Sequence, residues 1–208
     1  KSEKTYPIYR NTGKLFGSKE RMNAVDGMSF YIKKGGTYGL VGESGCGKST
    51  SGRAIVGLTK TDSGSIFYEG TDLCSLSEKE FRPFRKEIQM VFQNTLSALN
   101  PRQRIGSILE GILFIHGVKD REERRNQAVE VLRRVGLEKE YYFRFPHELS
   151  GGQVQRLGIA SALVVQPKLI VCDEPVSALD VSIQVQILNH AQKSCKNELK
   201  LSHAFYIA

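Results

Sequence analysis

The segment Gly42-Glu43-Ser44-Gly45-Cys46-Gly47-Lys48-Ser49-Thr50 constrains this chain more than any other part of it. It satisfies the spacing G-x-x-x-x-G-K-[ST] in full. Glycines have no Cβ, so the backbone N–H groups can turn inward and enclose an anion of phosphate size. Thr37 to Val41 reads as a strand ahead of the loop, and a helix is expected from near Gly47 through Ala54 to about Gly57. That helix would add the partial positive charge of its N-terminus. Lys48 is expected to reach the β- and γ-phosphates of a nucleoside triphosphate, and the Ser49 hydroxyl to coordinate Mg²⁺.

A second segment supplies the carboxylates that such a site needs. Leu169-Ile170-Val171-Cys172 is continuously apolar, as expected of a strand covered on both faces in a parallel sheet, and it ends in Asp173 and Glu174. Adjacent carboxylates at the C-terminal end of a strand stand where open α/β sheets bind ligands. Asp173 is expected to hold Mg²⁺ directly or through water, and Glu174 suits a general base that orients water toward the γ-phosphorus. Alone, Asp-Glu-Pro could be a simple helix start. A third segment, Leu149-Ser150-Gly151-Gly152-Gln153, reads either as a capping box between Ser150 and Gln153 or as a second phosphate-binding helix N-terminus. Two glycines in a first turn weaken a helix unless something must approach its backbone closely.

Between these segments the hydrophobic period changes. Met28 to Ile32, Ser65 to Tyr68 and Ile88 to Phe92 read as strands, with a turn at Gly35 and Gly36. From Ile105 to about Gln166 apolar residues recur at helical spacing: Ile105, Ile108, Leu109, Ile112 and Leu113, then Ala128, Val129, Leu132 and Val135, then Val154, Leu157, Ala160 and Val164. Another helix is expected over about 181–195. No apolar run reaches the roughly 20 residues of a membrane span. Cys46, Cys74, Cys172 and Cys195 show no metal-ligand spacing and read as reduced thiols. The net charge is +8 over 208 residues, but the densest basic group, Arg121, Arg124, Arg125, Arg133 and Arg134, is interleaved with Glu122, Glu123 and Glu130. That interleaving describes a solvated helix face, and no nucleic-acid partner is expected.

The set GESGCGKST, Gln93 after a strand, LSGGQ, LIVCDEP and Ser177-Ala178-Leu179-Asp180 resembles the nucleotide-binding domain of ABC transporters over nearly the whole chain. The resemblance implies an α/β P-loop NTPase with a mostly parallel core sheet, an N-terminal antiparallel β subdomain and an inserted α-helical subdomain. The core would comprise 1–104 and 167–208, and the helical part 105–166. It implies that ATP and Mg²⁺ are bound by Gly42, Ser44, Gly45, Cys46, Gly47, Lys48, Ser49 and Thr50, with Asp173 and Gln93 as further metal contacts. Glu174, Lys48 and Gln93 would be catalytic. Ser150, Gly151, Gly152 and Gln153 would meet the ATP of an opposite ABC subunit, Asp180 would support that contact, and Tyr6, or else Tyr9, would stack on adenine.

Ala24-Val25-Asp26-Gly27, Ser97-Ala98-Leu99-Asn100-Pro101-Arg102 and Pro146-His147-Glu148-Leu149 further resemble importer ATPases for oligopeptides, dipeptides and nickel. Membrane permease subunits, an extracytoplasmic substrate-binding protein and a place at the cytoplasmic face of the membrane follow from that resemblance. Asn94-Thr95 departs from the subfamily's Asp-Pro, as do Val154 from a polar residue and Ser161 from Arg. The family's switch His follows a strand, and 204–208 reads as that strand. The His would then be the next residue, with His203 the alternative, and the chain reads as ending short of it and hydrolysing ATP poorly. The other readings are a non-transport ABC ATPase acting on ribosomes or DNA, and an ATP-binding module with weak hydrolysis.

Overall fold

A computed structural model describes the backbone of residues 2–9, 19–173 and 203–207, and the side chains of 24–173. The expected Tyr6 and Tyr9 side chains, Glu174, Ser177–Asp180 and the helix over 181–195 lie outside the described residues. Strands β1 (Ser2–Tyr9) and β2 (Lys19–Met28) pair antiparallel, and β4 (Ser63–Gly64) joins β1 on its other side. The central sheet is parallel throughout, in the order β3 (Gly36–Leu40), β9 (His203–Ile207), β8 (Leu169–Asp173), β7 (Ile88–Val91). The short hairpin β5 (Phe67–Tyr68) and β6 (Thr71–Asp72) stands apart from both sheets.

β8 shows why its apolar run forms an inner strand. All five of its residues are buried. Leu169 and Val171 enter one cluster with Val56, Phe81, Ile88 and Met90, while Ile170 and Cys172 enter another with Val91, Ile159 and Ala162. Period-two alternation thus feeds both faces of the sheet, as expected for a parallel strand. Burial pushes the Cys172 thiol up to about 12, so it packs as a small neutral side chain. Cys46, Cys74 and Cys172 are free.

Helix α1 (Lys48–Ile55) follows β3, and the short helices α2 (Glu78–Phe81), α3 (Phe84–Glu87) and α4 (Thr95–Ala98) flank β7. The expected helices are present as α5 (Ile105–Ile115), α6 (Arg121–Arg134) and α7 (Gly151–Leu163). Ile105, Leu109, Leu113, Ala128, Leu132, Leu157 and Ala160 bury themselves in one cluster. α7 also sends Ile159 and Ala162 to β7 and β8, so it is shared by the helical cluster and the sheet. The basic group on α6 divides. Arg133 and Arg134 both pair with Glu130, at 3.1 Å, whereas Arg124 lies over Phe114 and Arg125 over Tyr142. Among the described residues no helix is long and apolar enough to cross a membrane.

Two expected strands differ. β2 ends at Met28, so Met28–Ile32 is not a strand. Phe30 and Ile32 are half-buried and Ser29 and Tyr31 exposed, and Phe30 stacks on Tyr38 at 4.7 Å. The alternation was real, but no strand among the described residues supplies a ladder. Ser65–Tyr68 is likewise reduced to β5, with Ile66 N–H bonded to the Asp72 carboxylate at 3.2 Å.

Candidate nucleotide site

β3 and α1 hold the loop 41–47 at the carboxyl edge of the parallel sheet. Gly45 and Gly47 have φ of +84° and +92°, a region L side chains resist. At Gly47 a Cβ would also stand 1.9 Å from the Ala24 carbonyl oxygen. Ala24 and the buried Val25 of β2 therefore brace the loop from outside the sheet, a contact that no spacing rule in the sequence announces. Gly42 is confined by Cys46, whose Sγ would lie 2.9 Å from an added Cβ. Ser51 ties the first turn of α1 back to the loop through its hydroxyl, which donates to the Gly47 carbonyl at 3.0 Å.

Lys48 is only 8% exposed, and its Nζ donates to the carbonyls of Gly42 at 2.5 Å and Glu43 at 2.9 Å. A buried ammonium requires such partners. The loop is thus already folded around its own cation. Gly42, Ser44, Gly45 and Cys46 are exposed, while Gly47, Ser49 and Thr50 are partly covered.

The central observation joins two segments far apart in sequence. The Ser49 hydroxyl donates to Asp173 Oδ1 at 2.7 Å, across 124 positions. Asp173 is 2% exposed at the end of β8. A hydroxyl and a carboxylate oxygen side by side are the hard oxygen donors that Mg²⁺ takes, so the residues present fit the expected metal.

Gln93 lies at the same edge. β7 and β8 pair Val91 with Cys172, so Phe92 comes level with Asp173 and Gln93 stands one residue beyond. Gln93 is exposed. His203 is placed differently. It registers with Gly36 and Leu169 at the start of their strands, whereas Ile207 registers with Leu40 and Asp173. Four residues of strand, roughly 13 Å, separate His203 from the loop's edge.

Ser150 to Gln153 form the start of α7. The Gln153 side chain reaches back to accept from Ser150 N–H at 3.0 Å and donates to Tyr141 Oη at 2.7 Å. Ser150 and Gly151 are exposed, and a Cβ added at Gly151 or Gly152 would meet nothing within 4 Å. Packing among the described residues gives no reason for either glycine.

A glycine-bearing loop between strand and helix, with an acidic side chain from a parallel strand on the loop's serine, defines a P-loop nucleotide-binding fold. The profile of the ABC transporter family matches residues 25–177, and the chain belongs to that family. It is 49% identical to an oligopeptide transport ATP-binding protein of Bacillus subtilis, over 88% of this chain and 56% of that protein. It is 48% identical to an oligopeptide transport ATP-binding protein of Salmonella typhimurium, over 88% of this chain and 55% of the other. A dipeptide transport ATP-binding protein of Escherichia coli is 42% identical over 98% of this chain and 60% of its own length. The chain thus spans a little over half the length of these curated relatives. Among solved structures, a dimeric post-hydrolysis ATP-binding cassette with ADP and Pi superposes with a TM-score of 0.86 at 30% identity, covering 100% of this chain and 85% of the other.

Proposed function

We propose that this chain is the ATP-binding and ATP-hydrolysing part of an importer that takes up oligopeptides or dipeptides through a membrane permease. The observation that carries the reading is the 2.7 Å bond between Ser49 and the buried Asp173, which closes the phosphate loop onto the end of β8. The peptide assignment is supported by the transport proteins to which the chain is similar.

In this reading Lys48 exchanges the Gly42 and Glu43 carbonyls for β- and γ-phosphate oxygens, which form stronger charge-assisted bonds. Glycine-lined N–H groups of the loop and the head of α1 hold the remaining phosphate charge. Ser49, Asp173 and Gln93 would hold Mg²⁺, which when bound neutralises charge on the β- and γ-phosphates. Glu174, next to Asp173, orients the water that attacks the γ-phosphorus as the bond to ADP breaks. Tyr6 remains the proposed adenine contact.

Ser150, Gly151, Gly152 and Gln153 are assigned to the ATP of a second ABC subunit, with Asp180 supporting that contact. The support is the open first turn of α7, where a Cβ at either glycine would meet nothing among the described residues. The separate cluster of α5, α6 and α7 supports a helical subdomain over 105–166 and a core over 1–104 and 167–208. Docked on a permease, the protein would sit at the cytoplasmic face of the membrane and receive cargo from an extracytoplasmic binding protein.

The composite site has a direct test. Glu174→Gln with saturating MgATP should sediment as a dimer, because ATP binds and is not consumed, and adding Lys48→Ala should return it to monomer. A Glu174→Gln variant that stays monomeric with ATP bound would contradict the shared site.

A further inference from the structure

Four polar side chains are buried among the described residues: Lys48, Ser51, Asp173 and Thr95. The first three belong to the phosphate loop, its helix and its acidic neighbour. Thr95 does not. It opens α4, two residues beyond Gln93, and is the buried member of that turn, since Leu96, Ser97 and Ala98 are exposed.

Two contacts hold Thr95. Its hydroxyl donates to the Phe92 carbonyl at 3.3 Å, closing the turn that carries Gln93. Its side chain also fills the space beside Gly158 in α7. A Cβ at Gly158 would stand 2.4 Å from Thr95 Oγ1, 2.6 Å from Cγ2 and 3.1 Å from Cβ. Glycine inside a helix costs about 1 kcal/mol relative to alanine. Gly158 is not among the residues with positive φ, so close approach rather than backbone freedom accounts for it. The rest of α4 is fastened locally, through Asn94 Oδ1 accepting from Ser97 N–H at 3.3 Å and Ser97 Oγ donating to the Asn94 carbonyl at 2.8 Å.

We infer that the Thr95–Gly158 contact is a positioning contact for ATP hydrolysis, setting where Gln93 stands relative to Asp173 and to the head of α7. The inference rests on the proposed roles of Gln93 and Ser150–Gln153. Gly158 lies two helical turns, roughly 10 Å, beyond Gly151 on the same rigid helix. Next to it, Ile159 and Ala162 pack with Val91, Ile170 and Cys172 of the sheet. One helix therefore fixes the turn bearing Gln93 from one side while presenting Ser150 to Gln153 at its end. Neither Thr95 nor Gly158 is among the residues assigned to the nucleotide. They act through Gln93.

The test is steady-state ATP hydrolysis and equilibrium ATP binding by the full chain. Gly158→Ala should lower kcat by about 10- to 100-fold, with ATP affinity within about twofold of wild type. Thr95→Ala removes the two nearest clashing atoms, so the double variant should recover to the kcat of Thr95→Ala alone. A merely structural contact would not divide kcat from affinity in this way. Unchanged kcat in Gly158→Ala, or a double variant as slow as Gly158→Ala, overturns the inference. Should Gly158→Ala not fold, Thr95→Ser, which keeps the hydroxyl, should exceed Thr95→Ala in kcat at equal affinity, and equal kcat values overturn it. Wild-type protein that binds no ATP overturns the proposed function as well, whereas wild-type turnover with an unaffected Gly158→Ala overturns this inference alone.

Discussion

Lys48→Ala is expected to lower ATP turnover by about 10²- to 10³-fold, the scale found when one preorganised donor to a developing charge is removed. The folded state should hardly register the change. Lys48 Nζ donates to the loop carbonyls of Gly42 and Glu43 and to Cys46 Sγ at 4.0 Å, and all three residues are exposed. Water can replace the ammonium there, so a stability loss of about 1 kcal/mol is expected. Phosphate release and denaturant unfolding, measured on the same preparation, separate the two effects. Turnover at the wild-type rate would remove Lys48 from the site.

Gly47→Ala should have the largest effect on stability. A left-handed backbone costs an L residue about 1–2 kcal/mol. At Gly47 the new Cβ also meets the Ala24 carbonyl oxygen at 1.9 Å, which neither β2 nor the loop can accommodate without moving. A total near 3 kcal/mol or more is expected, together with loss of nucleotide binding. Gly45→Ala is the internal control. Its φ of +84° is similar, but a Cβ there meets nothing within 4 Å, so the conformational cost of about 1–2 kcal/mol stands alone. Equal destabilisation of the two variants, read from urea unfolding, would contradict the bracing of the loop by Ala24.

These two residues also show what the sequence made legible. Lys48 and Gly47 belong to one contiguous pattern whose physics is local: a strand, bare N–H groups and a helix start. The apolar run at Leu169–Cys172 was equally readable, because burial on both faces leaves no polar alternation. Strand β9 was readable over 204–208, but not its slot between β3 and β8, which decides that His203 begins at the far edge from the loop. Met28–Ile32 was misread because alternation reports a half-buried extended segment and says nothing of a ladder partner. The Ala24–Gly47 and Thr95–Gly158 contacts were invisible for a related reason. A glycine in a pattern signals a need for space, and only the fold shows what fills that space. Ser150 and Gln153 supported a cap and a phosphate surface equally well. Gln153 does reach back to Ser150 N–H, and that bond does not account for Gly151 or Gly152.

Ser49 and Asp173 are proposed to turn the phosphate loop into a metal-dependent nucleotide site. Equilibrium ATP binding with and without Mg²⁺, compared between wild type and Asp173→Ala, tests it most directly. Wild type should bind ATP more tightly when Mg²⁺ is present, and Asp173→Ala should lose most of that difference while keeping a Mg²⁺-independent affinity through Lys48. An Asp173→Ala variant with the wild-type dependence on Mg²⁺, or a wild-type chain that binds no ATP, would contradict it.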